Sequence, residues 1–476
     1  MKRSASQDHL AWLREGKTLS TAQQLRCIIQ LSIPAIFAHL SSVVMQYIDA
    51  SMVGQLGKTA SASIGLVSSS TWLVGGITCA LGTGFTVQIA HRIGAKQEAE
   101  ARAVVRHGLL SVLVFSLFMG LLSASLAGVL PIWLGGQDDL LAGSTQYFRI
   151  YSLALPAMAV NYAAGGMLQC SGNMRTPSMI NIIMCALDVL LNALLIFPAR
   201  TLSLGTLHLP VPGFHLGVAG AALGTAFAEI ICAALMLYFL LVRSDTLNLR
   251  HRAVPGNFSK ELQYAVRLSL PIAIENAISG GAQVTSTRIV APLGTVAIAA
   301  NSFSVTAEGV CYMPGYGIAS AATALIGQST GAGRKKETKK LSFLTIGLGM
   351  AVMTGTGILL YIFAPQMLGI LTPDSDIQNL GVQVLRIEAF AEPFFAASIV
   401  TAGVFRGVGK TAVSTMLNLG TMWLIRIPLA ALLAPRLGLQ GVWTAMCLQL
   451  TVCGLLFLLA AVLHFRKAAS QKNISR

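Results

Sequence analysis

Seven carboxylic acids lie inside long apolar stretches of this chain of 476 residues. If such a stretch crosses a bilayer, a charge near its centre costs roughly 2.5–3.5 kcal/mol, so each acid is a candidate functional group. The seven acids are Asp49, Asp188, Glu229, Glu275, Glu308, Glu388 and Glu392.

Two kinds of chemistry would use acids in these positions. A carboxylic acid in a cavity of low dielectric constant can take up a proton from one side, and it releases that proton when the cavity opens to the other side. A cluster of carboxylate, hydroxyl and carbonyl oxygens would instead hold Na⁺, a hard cation that takes oxygen ligands. Either arrangement could couple an ion gradient to the movement of another solute.

The elements that must position these acids are apolar segments of about 20 residues or more, the length needed to cross a bilayer. Each segment must be helical, because a backbone exposed to lipid has no water with which to pair its amides. We therefore predict an all-α polytopic membrane protein with twelve transmembrane helices. They lie near residues 27–53, 63–90, 104–130, 146–169, 177–198, 217–242, 264–290, 296–327, 341–367, 382–405, 411–434 and 441–464.

Composition supports a membrane protein, since 54% of the residues are apolar and only 11% are charged. A soluble protein carries about 25% charged residues. These values exclude a disordered chain, a disulfide-rich secreted module and an ordinary cytosolic enzyme. The first 26 residues lack a short apolar core with a cleavage site, so the first span is the expected insertion signal.

The net charge of +15 is explained by topology. By our assignment, 26 of the 33 basic residues lie in the terminal segments and alternate loops that share one side of the membrane. The positive-inside rule then places both termini in the cytoplasm, in a multi-pass protein of the plasma or inner membrane. Because these residues are scattered over seven short segments, we predict no nucleic-acid partner.

No motif in the sequence predicts an enzyme or a resident cofactor. The eight cysteines have no metal-ligand spacing, and the sequence contains no His-Glu-x-x-His zinc motif. The segment around Gly409 and Lys410 resembles the end of a phosphate loop, but position 404 is Val where that motif needs Gly. We therefore expect no cofactor other than the coupling ion and no certain metal site.

The chain contains an internal duplication of six spans. Since six is an even number, both halves enter and leave the membrane on the same side and are parallel repeats. The offset shrinks where the loop after the fifth span is longer. The matched positions are Pro34 and Pro271, Gly94 and Gly331, and Arg149 and Arg386 at an offset of 237, then Gly172 and Gly407 at 235, and Gly217 and Gly438 at 221.

The duplication predicts the organisation of the chain. The polar segment after the sixth span carries Pro255-Gly256 and is the expected hinge between two lobes. The predicted parts are a cytoplasmic N-terminal segment (1–26), an N-terminal six-helix lobe (27–242), a cytoplasmic linker (243–263), a C-terminal six-helix lobe (264–464) and a cytoplasmic tail (465–476).

Over residues 27–464 the chain resembles the multidrug and toxic compound extrusion (MATE) family. The resemblance depends on the order of several short segments along twelve duplicated spans. It implies two six-helix lobes in a V shape that export amphiphilic, often cationic compounds against an inward H⁺ or Na⁺ gradient. The segments are Asp49-Ala-Ser-Met-Val-Gly54, Gly94-Ala95, Gly327-Gln328-x-x-Gly331-Ala332, Gly-x-x-x-Thr at Gly172 and Gly407, Asp188-x-x-x-Asn192, Gly217-Val-Ala-Gly and Gly438-Leu-Gln-Gly-Val-Trp443.

The resemblance implies an ion-coupling cluster in the N-terminal lobe. Asp49 stands where the family has a coupling carboxylate. Asp188 and Asn192 are one helical turn apart and face the same way. The proton-coupled branch often has Asn followed four residues later by Asp, whereas here the order is reversed. We therefore predict that Asp49, Asp188 and Asn192 form a polar cluster, with the titrating member left open.

In the second lobe the chain departs from the family pattern. A coupling glutamate of the Na⁺-driven branch would fall at Ser279, one turn after Glu275. The acid of the tenth span would fall at Phe395, three residues after Glu392. Glu275 and Glu392 could form a displaced cation site for Na⁺, face the substrate, or pair with an arginine such as Arg426.

Three acids remain with structural alternatives. Glu308 could line the cavity and attract cationic substrate, or be a protonated packing residue. For Glu229 we expect a packing role. Glu388 lies near the predicted membrane edge, where we expect it to be solvated or paired with Arg386.

The resulting hypothesis is a monomeric secondary antiporter in the lipid bilayer that exports small organic drugs or toxic compounds in exchange for H⁺, with Na⁺ less favoured. A flippase for a lipid-linked saccharide is the alternative, but it would need an Arg-rich cavity to hold pyrophosphate. The spans offer only Arg426 and Arg288 for that role. A passive channel is disfavoured because the sequence has few charges that could form pore rings.

Overall fold

The computed structural model describes residues 20–204, 207–250 and 256–474, and it describes side chains except at 200–211 and 468–474. Four basic residues of the predicted cytoplasmic N-terminal segment therefore lie outside the described part, as do the last two residues of the tail. Those four are Lys2, Arg3, Arg14 and Lys17.

The first half of the chain contains six long helices, one short helix and a β-hairpin. A π-helical turn, Phe239–Arg243, ends the sixth long helix. The elements are α1 (Thr21–Gln55), α2 (Lys58–Gly94), α3 (Glu98–Leu126), the short α4 (Leu130–Trp133), α5 (Asp138–Cys170), α6 (Arg175–Leu195), β1 (Pro198–Leu204), β2 (Leu207–Phe214) and α7 (Gly217–Tyr238).

The second half repeats this order with more interruptions. Two of its spans are broken, one between α11 and α12 and one by a π-helical turn, Met422–Arg426, between α13 and α14. The helices are α8 (Phe258–Val290), α9 (Thr295–Gly331), α10 (Lys335–Leu371), α11 (Ser375–Glu388), α12 (Glu392–Gly407), α13 (Thr411–Thr421), α14 (Ile427–Leu437) and α15 (Leu439–Ile474).

The helices agree with the predicted twelve spans. Within the described residues, nine segments are long and apolar enough to cross a bilayer, and α11 with α12, bent by 59°, forms a tenth. The remaining two, α5 and α8, have 33 residues each and carry ionisable and amide side chains along their length. The chain is thus an all-α polytopic membrane protein of twelve transmembrane helices in two parallel sets of six.

Burial follows the pattern expected in lipid rather than in water. Large apolar side chains point outward, as at Phe118 (61% exposed) and Leu121 (64% exposed) on α3. Small residues such as Ala163 and Ala164 of α5 are fully buried. Lipid is as apolar as leucine, so helices gain more by bringing small residues together than by hiding large ones.

The described chain divides into two compact units. The N-terminal unit comprises residues 41–89 and 98–273, and the C-terminal unit comprises residues 20–40, 90–97 and 274–474. Three of the four boundaries fall inside helices, in α1, α2 and α8, and the fourth lies just before α3.

Paired glycines allow α2 and α9 to approach closely within the C-terminal unit. A Cβ atom on Gly94 would collide with the carbonyl of Gln328, and one on Gly331 would collide with the carbonyl of His91. The His91 ring also lies 2.7 Å from the carbonyl oxygen of Gly407, measured from Nε2. This contact gives a steric reason for the Gly-Ala pairs that follow the second and eighth spans.

The hairpin was not predicted from the sequence, where residues 199–215 were assigned to a loop. β1 and β2 pair antiparallel, with Leu204 opposite Leu207 and an irregularity between Pro198 and Arg200. The alternation of Leu with polar residues from Leu202 to Leu209 could have indicated it, because such alternation is the signature of a strand.

Candidate ion-coupling and binding sites

A polar cluster in the N-terminal unit brings together the three residues predicted for ion coupling. The side-chain amide of Asn192 donates to Oδ1 of Asp49 at 2.9 Å and to Oδ2 of Asp188 at 3.1 Å. Asp188 and Asn192 are each only 1% exposed, whereas Asp49 is half-buried. One amide nitrogen therefore bridges two carboxyl groups from different helices.

Helix geometry explains how the cluster forms. Asp188 and Asn192 are four residues apart on α6 and so share one face. Asp49 lies six residues before the end of α1, and Asp188 lies seven before the end of α6. At 1.5 Å per residue, both acids are about 10 Å from the ends of their helices.

Gly224 of α7 completes the cluster by leaving room for Asn192. A Cβ atom on Gly224 would overlap the Oδ1 atom of Asn192. The amide oxygen thus lies against the α7 backbone, which turns the NH₂ group toward the two acids. The sequence analysis missed this residue, although a glycine facing a polar position within a membrane helix is a usable signal.

Two buried oxygen atoms of the cluster lack a hydrogen-bond donor. Within the described structure, Oδ1 of Asp188 and Oδ1 of Asn192 are buried and receive no hydrogen bond. The two carboxyl groups also interact electrostatically with each other. A proton on one of the acids would relieve the repulsion between them and supply a missing donor.

A second polar pair lies nearby in the same unit, where Asn161 of α5 donates to Oε2 of Glu229 of α7 at 2.8 Å. Asn161 is 6% exposed, and its Nδ2 also lies 3.6 Å from the sulfur of Met184. Glu229 was expected to be a packing residue and here has a defined hydrogen-bond donor. Asn161 was missed, because a lone amide in a span carries no distinctive sequence pattern.

In the C-terminal unit, Glu275 of α8 is held by α13. Its two carboxylate oxygens accept from Thr415 Oγ1 at 2.9 Å and from Asn418 Nδ2 at 2.6 Å. The oxygen of the Asn418 amide accepts in turn from Cys453 Sγ at 3.4 Å. Thr415 and Asn418 were not predicted, although their spacing of three residues on one helix places them on a common face.

Glu275 and Glu392 are not brought together by a hydrogen bond in the described structure. Glu392 is fully buried at the start of α12 and interacts electrostatically with Glu308 of α9 instead. Within the described residues, no group of three or more His, Cys, Asp or Glu side chains is arranged to hold a metal ion.

Glu392 belongs to a cluster of three buried acids around one arginine. Glu308 is 6% exposed, and Glu388 and Glu392 are fully buried. Arg426, from the π-helical turn, interacts electrostatically with Glu308 and Glu388. In the described structure, none of the carboxylate oxygens of Glu388 and Glu392 receives a hydrogen bond, and Nε of Arg426 donates none.

The prediction for Glu388 was wrong. It is neither solvated nor paired with Arg386, whose Nε donates to the carbonyl of Tyr361 at 3.4 Å. The break between α11 and α12 is the physical reason. Glu388 ends one helix and Glu392 begins the next, so the bend carries both acids into the interior of the unit.

A serine motif in α9 has no nucleophile geometry. Gly327-Gln-Ser329-Thr-Gly331 matches the spacing of a hydrolase elbow, a match that the sequence analysis overlooked. Ser329 instead lies within a continuous helix, is 2% exposed, and its hydroxyl lies 2.8 Å from that of Thr338. An elbow requires a sharp turn between a strand and a helix, so this serine is structural.

Comparison with known proteins agrees with this architecture. The MatE family model matches residues 34–194 and 271–432, one segment in each repeat and more than half of the chain. The chain is 23% identical over 454 residues to the probable multidrug resistance protein NorM of Thermotoga maritima, covering 94% of this chain and 95% of that protein. It is 28% identical over 452 residues to the probable multidrug resistance protein NorM of Deinococcus radiodurans, covering 92% and 95%.

The fold matches a solved structure closely. The crystal structure of MATE in complex with MaL6 superposes with a TM-score of 0.85 at 20% identity, covering 95% of this chain and 100% of that one. With two copies of the family model, twelve membrane helices and the fold in common, the chain belongs to the MatE family of multi-pass membrane transporters.

Proposed function

We propose that this protein is a secondary antiporter that exports amphiphilic, often cationic compounds in exchange for inward H⁺ by alternating access. The bridging of Asp49 and Asp188 by one amide of Asn192 is the observation that carries the proposal. The names of the NorM relatives support multidrug resistance as the physiological role.

In this mechanism the Asp49–Asp188 pair carries the proton. With both acids ionised, the shared Asn192 amide offsets part of their repulsion. Uptake of one proton removes that repulsion and lets a carboxyl donate to a buried acceptor. The protonated and deprotonated clusters therefore favour different local packings of α1 and α6, which is what a coupled transporter needs.

Na⁺ fits the described residues less well than H⁺. Glu275 offers carboxylate oxygens, but Thr415 and Asn418 already donate to both of them. A sodium ion there would have to replace these donors with oxygen ligands. Glu308 and Glu392 remain candidates for binding a cationic substrate, since Glu392 lacks a hydrogen-bond donor in the described structure.

The flippase alternative gains little support from the arginines. Arg426 interacts with two acids, Glu308 and Glu388, that offset its charge, and Arg288 is exposed near the end of α8. A pyrophosphate would need several guanidinium groups free to converge on it. We also propose that both termini are cytoplasmic, that the protein acts as a monomer, and that it binds no nucleic acid.

Transport in proteoliposomes under separately imposed pH and Na⁺ gradients tests the proposal. Export of a fluorescent cationic dye should follow the pH gradient and be indifferent to Na⁺. Asp49→Asn should reduce it to the level of empty liposomes, whereas Asp139→Asn, an exposed acid at the start of α5, should leave it unchanged. Full coupled transport by Asp49→Asn would refute the coupling role, and dependence on Na⁺ alone would refute H⁺ exchange.

A further inference from the structure

An open apolar groove of about 730 Å³ lies within the N-terminal unit, outside both polar clusters. Its walls come from α2, α3 and the first half of α8. Side chains that line it along most of its length include Ile77, Leu110, Val114, Phe118, Val266 and Leu270. We call it the α2–α3–α8 groove.

The groove is lined almost entirely by apolar side chains. Ser111 and Ser269 supply its only side-chain hydroxyls among the lining residues, and both are used internally. Ser111 donates to the carbonyl of His107 at 2.8 Å, and Ser269 donates to the carbonyl of Leu81 at 3.3 Å. A ligand with buried polar atoms would leave them unpaired there, at a cost in binding free energy. The occupant must therefore place an apolar chain in the groove.

The length of the groove fits one leaflet of a bilayer. From Leu110 to Phe118 is eight residues of α3, or about 12 Å along the helix axis. Half of a hydrocarbon core of about 30 Å is similar. An acyl chain running parallel to α3 would thus be covered over most of its depth in the leaflet.

One exposed cation, Arg106, stands at one end of the groove. Phe258 lines that end, and its ring packs edge-on against His107, with the ring centroids 5.3 Å apart. Nη2 of Arg106 lies 3.5 Å from Nε2 of His107. Lys260, two residues after Phe258, is also exposed, but it lies on a different side of α8 from the lining residues. The end of the groove therefore carries positive charge at the level where a lipid headgroup would lie.

Two other polar groups at this end are already occupied in the described structure. Nδ1 of His107 lies 2.7 Å from Oε2 of Glu261, which is buried. The backbone amide of Lys260 donates to Oδ1 of Asn257. An anionic group arriving here would meet the side chain of Arg106 rather than a free helix end.

We propose that the α2–α3–α8 groove binds one anionic phospholipid, with an acyl chain between the helices and the phosphate at Arg106. A basic residue beside an apolar cleft is the expected recognition pattern for such a lipid. An exported cationic drug fits less well, because the nearest acid, Glu261, is engaged by His107. The proposal does not depend on which ion drives transport.

Native mass spectrometry of the delipidated full chain tests it with dioleoyl phosphatidylglycerol and dioleoyl phosphatidylcholine as probes. Val114→Trp should fill the groove, displace two or more methylenes and weaken binding of both lipids by about tenfold. Leu117→Trp is the matched control, since Leu117 is also exposed on α3 but does not line the groove. Arg106→Gln should lower the preference for phosphatidylglycerol by about fivefold, whereas Lys260→Gln, on the other side of α8, should not. Arg175→Gln, an exposed cation at the start of α6, should not change it.

Cross-linking of the unaltered protein keeps the test decisive if a variant fails to fold. Phosphatidylglycerol with a photoreactive group in its acyl chain should label α3 near Val114 and α8 near Val266. Labelling elsewhere, equal binding of the two lipids, or unchanged binding by Val114→Trp would overturn the proposal. So would a cationic dye that competes for the groove, or a dimer of the chain that Val114→Trp dissociates.

Discussion

Thr71 and Tyr151 of the first repeat stand at the positions that Glu308 and Glu388 occupy in the second, 237 residues later. In the N-terminal unit the hydroxyl of Tyr151 donates to the carbonyl of Thr71 at 2.9 Å, a neutral contact between α2 and α5. In the C-terminal unit the equivalent helices carry two buried acids near Arg426. The two repeats therefore share these helices but differ in the side chains that meet between them.

The reverse holds for the N-terminal cluster. By the offsets of their helices, Asp49 corresponds to Ser286 and Asp188 to Trp423, neither of which is ionisable. The two acids held by Asn192 lie on the first and fifth spans of the first repeat, whereas the buried acids around Arg426 lie on the second and fourth spans of the other. The second repeat also has an amide contact between its first and fifth spans, where Asn418 donates to Glu275, and it adds a site organised by a guanidinium.

A helix break accounts for part of this difference. Pro156 lies inside the continuous helix α5, whereas its equivalent Pro393 lies in the first turn of α12, just after the break. Proline lacks an amide hydrogen, so it suits a first turn and interrupts a helix interior. The break in the second repeat carries Glu388 and Glu392 inward, and the unbroken first repeat has no such acids there.

Of the substitutions that test this comparison, the removal of Arg426 should lower the stability of the protein most. Arg426→Met leaves three buried acids without their cation, and breaking a buried charge cluster in this way costs about 3–5 kcal/mol of unfolding free energy. Denaturation in mixed micelles would measure it, and adding Glu308→Gln should recover part of the loss. Arg288→Met, at an exposed position, should cost about 0.5 kcal/mol or less. Equal stability of both arginine variants would show that the guanidinium does not organise the cluster.

Filling the space beside Asn192 should have an intermediate effect, confined to the amide-organised cluster. Gly224→Ala forces the Asn192 side chain away from α7, and overpacking of this kind costs about 1–3 kcal/mol. Gly65→Ala is the control, because a Cβ atom there meets nothing within 4 Å. Proton-coupled dye transport should fall for Gly224→Ala and not for Gly65→Ala. If the two variants behave alike, the close approach of α7 does not orient Asn192.

The smallest effect is expected at the neutral contact. Tyr151→Phe removes one hydrogen bond, worth about 1 kcal/mol of unfolding free energy, and should leave transport intact. Tyr162→Phe, at an exposed position on the same helix, should change neither quantity. A large loss of transport in Tyr151→Phe would mean that the first repeat also uses this contact functionally, and the contrast with Glu308 and Glu388 would fail.

Hydropathy and the duplication were sufficient to predict the helices, because a bilayer permits few alternatives. The hairpin was missed because residues 199–215, between the fifth and sixth spans, were assigned to a loop from the length of the segment alone. Helix breaks were also beyond sequence reasoning. Pro156 and Pro393 are the same residue in equivalent contexts, and only packing decides which one interrupts its helix.

The sequence predicted more of the cluster around Asp188 and Asn192 than of the surroundings of Glu275 and Glu392. Asp188 and Asn192 are local neighbours on one helix, so their common face follows from spacing alone. The surroundings of Glu275 and Glu392 depend on contacts across 140 residues or a bend, and no local pattern encodes these. The resemblance to a family could locate expected positions, Ser279 and Phe395, but not the partners that the displaced acids found instead. The ion-coupling and binding roles of all these residues stay predictions.

The placement of unit boundaries inside α1 and α8 has a consequence for how the chain is assembled during synthesis. The N-terminal unit contains residues 258–273, so it cannot be completed until the first half of α8 has left the ribosome. The C-terminal unit contains residues 20–40, which are made first and must wait for nearly everything that follows. Cutting the gene between the repeats would therefore yield two fragments that each lack a piece of their own unit, and co-expression of both should be needed to recover either one.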